Sequence, residues 1–167
     1  LRRLCPGDCR RQPGQPAALH QAVRQALVDC YGHGGPAAAA PEFLLDSFEA
    51  HWQGELCTDS MEEEQLHAQG LQMLRDYHDD HRADAVDILA TDRSFVSEIE
   101  GQALVAVADV VLQPADREAP DVIRFVTSRR PDNAAALAQD LSAQLLWVLA
   151  CEHYGSDPAP RILFYAL

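Results

Sequence analysis

Residues 103–112 read ALVAVADVVL, and every one but Asp109 is apolar. An extended segment that is apolar on both faces is a central strand covered on both sides. A carboxylate within such a strand is costly unless a metal, a cation or hydrogen bonds satisfy it. The next strand-like stretch, DVIRFVT at 121–127, carries the opposite anomaly: Arg124 is a lone charge between Ile123 and Phe125. If the two strands form a hairpin around the polar loop at 113–120, partners have residue numbers of constant sum. Asp109 then stands opposite Arg124, and Val107 opposite Val126. Cross-strand Cβ atoms lie about 5 Å apart, so the expectation is an Asp109–Arg124 ion pair. The planar fork of arginine suits both carboxylate oxygens.

Upstream, DILATDRSFVSEIEG reads as a strand that turns at Gly101 into the central one. Three helices precede it. PAALHQAVRQALVDCYG opens on Pro16 and repeats Leu19, Val23, Leu27 and Cys30 at helical spacing. PEFLLDSFEAHWQ has Phe43, Leu44, Phe48 and Trp52 on one side. In DSMEEEQLHAQGLQMLRDYHDDHR, Ser60 and Glu63 form a capping-box pattern, and the acidic first turn suits the helix dipole. Downstream, PDNAAALAQDLSAQLLWVLACEHYG is expected to be one long helix capped by Asp132 and ended by Gly155, and RILFYAL a final strand. The expected fold is a single α/β (α+β) domain over residues 1–167: an arm at 1–15, a helical part at 16–82, and a sheet core with one long helix at 84–167.

The 167 residues suit one domain with a sizeable core. The formal net charge of −13 disfavours non-specific nucleic-acid binding. All 13 Lys and Arg residues are arginine, so no mechanism that needs a lysine can run in this chain. Five scattered cysteines make a poor disulfide framework. Cys5 and Cys9 are two possible ligands of a zinc or iron–sulfur site, which usually takes four. The absence of a signal peptide and of a long apolar run leads to the expectation of a cytoplasmic protein without membrane contact.

In this order, the elements resemble the RecB-type branch of the PD-(D/E)XK nucleases. LRRLCPGDCRRQ is similar to that family's opening segment, and His20 in ALHQAVRQAL falls at its metal-binding histidine. The run TDRSFVSEIEGQALVAVADVV ends at Asp109, the position of a metal-ligand aspartate, while DLSAQLLWVLA resembles the Gln-Leu-x-x-Tyr helix with Gln144 and Trp147 in place. The resemblance implies a mixed central sheet flanked by helices, and a Mg²⁺ or Mn²⁺ site that activates water against a phosphodiester.

The motif is degenerate. Where the family has Asp-Tyr-Lys-Thr-Gly, this chain has Arg124, Phe125, Val126, Thr127 and Ser128, and Ala106 replaces a glycine. The second carboxylate is an arginine and the catalytic lysine is a valine. The expectation is therefore a catalytically inactive nuclease-fold domain with no bound cofactor. It would have a structural or DNA-handling role in repair or recombination, beside a helicase or nuclease subunit. His20, Asp109, Arg124, Val126 and Gln144 would be vestigial, and any residual metal would sit on His20 and Asp109.

Arg2, Arg3, Arg10, Arg11, Arg129 and Arg130 are the candidates for weak DNA contact. One alternative is an active nuclease with carboxylates moved to Asp140, Glu98, Glu100 or Asp92, and with Arg129 or Arg130 in place of lysine. Another is a protein-interaction module with no nucleic-acid role. For Gln144, between Leu141 and Val148, a structural role as a buried amide is expected. The cluster His78, Asp79, Asp80 and His81 reads as a solvated helix end.

Overall fold

The computed structural model describes residues 15–57, 59–84, 86–126 and 140–166. Cys5, Cys9, Thr127, Ser128 and the six arginines proposed for DNA contact lie outside them. The elements run α1 (Gln15–Gly32), α2 (Pro41–His51), a 3₁₀ turn (Gly54–Leu56), α3 (Ser60–His81), β1 (Asp87–Ile99), β2 (Gln102–Gln113), β3 (Asp121–Val126), α4 (Leu141–Tyr154) and β4 (Arg161–Ala166).

The four strands form one mixed sheet in the order β1-β2-β3-β4. β1, β2 and β3 run antiparallel, and β4 is parallel to β3. A parallel neighbour requires a crossover connection, and α4 lies within it. The β1–β2 hairpin turns at Glu100 and Gly101, with φ of 52° and 75°. Two successive left-handed residues make the tight turn whose twist matches the strands.

Two cores lie on opposite faces of the sheet. On one face Leu19, Val23, Leu27 and Cys30 of α1, with Leu44 and Phe48 of α2, pack on Val110, Leu112, Ile123 and Phe125. Tyr31 and Tyr77 share a hydroxyl hydrogen bond of 2.8 Å; the Tyr31 ring stacks on Phe125 and the Tyr77 ring meets it edge-on. On the other face Leu146, Leu149 and Ala150 of α4 cover Phe95, Ala106, Ala108, Val111 and Val122.

Two helix starts differ from expectation. Asp59, not Ser60, caps α3, its carboxylate accepting from the Glu62 amide at 2.8 Å. The helix expected from Asp132 is interrupted, because Asp140 is extended (ψ 114°) and caps α4 through the amides of Ser142 and Ala143. An aspartate with two free amides ahead of it favours the cap over a continued helix. Asp132 itself lies outside the described residues.

The expected β2–β3 register holds at Val110↔Ile123, Val111↔Val122 and Leu112↔Asp121. The ladder stops there, one residue short of Asp109 and Arg124, so Val107 and Val126 are not paired with each other. β2 continues with β1 while β3 continues with β4, opening a fork between the two central strands.

Candidate functional site

The fork is roofed by α1. His20 and Arg24 lie one helical turn apart and therefore on one face. Arg24 Nε donates to Asp109 Oδ1 at 2.6 Å, and Arg24 Nη2 donates to Asp92 Oδ1 at 2.5 Å. The second oxygen of Asp109 accepts from the Phe125 backbone amide at 2.6 Å. That amide lies where the ladder has ended, so the carboxylate stands in for a strand carbonyl. Asp109 is 1% exposed, and both its oxygens are engaged by protein donors.

The expected Asp109–Arg124 pair is replaced by Asp109–Arg24. Regular alternation would send residues 108 and 110 to the same face. Instead Ala108 and Val111 face α4, while Asp109 meets α1 and Val110 packs beneath it. The break lies across from Asp92, whose φ of 46° interrupts β1. Alternation along β3 is regular: Ile123 and Phe125 face α1, and Val122 packs toward α4. Arg124 therefore leaves the strand on the Val122 side. Its Nε is buried without a hydrogen-bond partner among the described residues.

The electrostatics follow from this arrangement. Burial works against the charge of Arg24, and the carboxylates of Asp109 and Asp92 outweigh it, so its pKa is raised. The pKa of half-buried His20 is lowered, first by burial. Asp109 opposes that shift, while the charges of Arg24 and Arg124 add to it. His20 therefore takes up a proton less readily than a solvent-exposed imidazole.

The resemblance implies a divalent metal on Asp109 and His20. The donor set does not fit one. The Arg24 guanidinium already holds the carboxylate, and a cation there would face its charge. Among the described residues, no group of three or more His, Cys, Asp or Glu side chains is placed to hold a metal ion.

The fold brings together His20, Asp109 and Asp92, with Arg124 near enough to act on His20. Gln144 stands apart on α4, beyond the other face of the sheet. It is exposed rather than buried, as are Leu141 (80%) and Val148 (51%), which corrects the expectation of a buried amide. Trp147 is 46% exposed. Val126 is half-buried beside β4 and offers no amine. Glu98 and Glu100 lie at the hairpin tip, about 20 Å along the strand from Asp92 at ~3.3 Å per residue, and Asp140 is engaged as a cap.

Arg24 was missed. Its signal was its spacing of four residues from His20, which sets both on one face of α1.

Other chemistry-bearing groups read as structural. Asp29 accepts from Ser47 Oγ at 2.6 Å and lies 3.0 Å from His51 Nε2, so serine and histidine both point at the carboxylate. The histidine is bonded to the carboxylate rather than to the serine, so the three groups do not stand in the order of a proton relay. Burial pushes the Cys30 thiol up to about 12, far from the range of a nucleophile. His78 is buried against the Ala39 carbonyl, correcting the solvated reading at that position, whereas His81 is tied to Asp84.

Compared with known proteins, the chain matches no protein family, no curated protein and no solved structure.

Proposed function

We propose that this chain is a nuclease-fold domain of the RecB-type PD-(D/E)XK kind whose metal site has become an arginine-centred ion network. It serves as a structural or DNA-handling module in repair or recombination, beside a helicase or nuclease partner in the cytoplasm. The observation that carries this proposal is the 2.6 Å contact of Arg24 Nε with Asp109 Oδ1, a guanidinium on the carboxylate that the resemblance gives to a metal. Support also comes from the order of elements, with three antiparallel strands, a helix and a fourth strand parallel to the third. No helix among the described residues is long and apolar enough to cross a membrane.

An active Mg²⁺ or Mn²⁺ nuclease is the second reading, favoured by one observation: Asp92 lies beside Asp109, bridged by the same arginine. Thermal unfolding with Mn²⁺ and Mg²⁺ separates the two. A site filled to 100 times its dissociation constant adds about 2.7 kcal/mol of stability. The expected result is no metal-dependent rise in the wild type. A rise that disappears in Asp109→Ala would overturn the inactive reading. DNA handling is tested by affinity against salt, where phosphate contacts give a steep decline. A flat profile would leave the domain a protein-interaction module.

A further inference from the structure

β1 is an edge strand, with no neighbour on its outer side among the described residues. Its first part is disrupted by a register shift between Ile88 and Ala90 and by Asp92. From Arg93 to Ile99 it is regular and pairs with β2 at every residue. This part lacks the lysine, proline or bulge that ordinarily protects an edge, and it exposes Val96 (66%) and Ile99 (56%).

A groove of about 330 Å³ runs along this edge beside α4, lined by residues 93–96 and by Leu149, Glu152 and His153. Strand side chains alternate between faces, so a groove touching four consecutive residues follows the strand's edge. Arg93 is incompletely partnered there. Arg93 Nη2 lies 3.2 Å from His153 Nε2, while its Nε has no hydrogen-bond partner, and Arg93 has no ion pair, among the described residues. Four residues along the strand, Ser97 Oγ donates to Glu152 Oε1 at 3.2 Å. Arg93, Phe95 and Ser97 all lie on the α4 side of the sheet.

We propose that two copies of this chain associate through these edges, antiparallel and centred on Phe95, extending the sheet across a twofold axis. An axis perpendicular to the sheet keeps both α4 helices on one face. With Phe95 at the centre, Arg93 of one copy stands opposite Ser97 of the partner subunit, beside the carboxylate that this serine marks. Each Arg93 then meets Glu152 of the partner subunit, so the interface contains the same ion pair twice. The outward-facing edge amides and carbonyls of residues 93–97 find partners in the same step. The association is independent of the reading of the Asp109 site.

The experiment is sedimentation equilibrium at physiological ionic strength, on the wild type, Arg93→Glu, Glu152→Arg and the double swap. A dimer is expected for the wild type. Each single change should weaken it at least about tenfold, and the double swap should restore it. Glu152 is exposed on α4, so Glu152→Arg carries the test if Arg93→Glu disturbs the fold, with circular dichroism as the check. A monomer at every concentration would overturn the proposal, whether the edge then stays bare or awaits a strand from another protein. So would a dimer indifferent to both changes, or a swap that restores nothing in a folded protein.

Discussion

Arg24 on the first helix and Asp109 on the second strand, 85 residues apart, are joined by a 2.6 Å hydrogen bond from Nε to Oδ1. The Asp109 side chain is 1% exposed and that of Arg24 23%. Such a pair stabilises little against well-packed apolar replacements, but removing one partner strands the other. Arg24→Ala and Asp109→Ala are each expected to cost about 3–5 kcal/mol. Replacing both residues by leucine should recover most of that loss. Urea denaturation measures all three, and additive single-mutant losses in the double variant would contradict the pairing.

The nuclease reading makes a stronger demand. Arg124→Glu with Val126→Lys supplies the carboxylate and lysine that the resemblance calls for, yet Arg24 still holds Asp109. That double variant should bind no Mn²⁺ in calorimetry. Adding Arg24→Ala frees the carboxylate on the α1 side, where His20 and Asp92 lie, and the triple variant should bind Mn²⁺. Equal metal binding by the double and triple variants would show that Arg24 is not the block.

His20 has a pKa lowered in the fold, mainly by burial. The unfolded chain therefore binds its proton more readily. The contribution of His20 to stability is full above about pH 6.5, the unfolded value, and is lost as pH falls through the lower folded value. His20→Gln should flatten the decline in stability between neutral pH and that lower value. Melting curves of both proteins across this window provide the check, and parallel profiles would contradict it.

Gly70 on α3 lies where a Cβ would come within 2.5 Å of the Phe48 ring and 3.0 Å of Leu19. Phe48 is fully buried and has little room to retreat. Gly70→Ala should cost about 1–3 kcal/mol despite the higher helix propensity of alanine. A gain in melting temperature would mean that α2 and α3 separate freely.

Much of this fold is written in local pattern. The helical spacing of Leu19, Val23, Leu27 and Cys30 marked the buried side of α1, and all four are buried. Gly101 marked the hairpin turn, and constant-sum pairing around the 113–120 loop gave the β2–β3 register as far as the ladder runs. The caps were harder to read, because neighbouring polar residues compete for the same amides: Asp59 displaced Ser60, and Asp140 interrupted the expected helix.

The sequence alone determined that Asp109 would be buried in a central strand and would need a donor, because a strand apolar on both faces leaves its one carboxylate no water. Tertiary structure decided which donor. Strand pairing pointed to Arg124, but the ladder ended one residue early and the side-chain alternation broke at Asp109. That break turned the carboxylate toward α1, where Arg24 stood one turn beyond His20. Periodicity fixes which face a residue takes within its own element. The identity of a charge's partner depends on how two distant elements dock, and no local period encodes that.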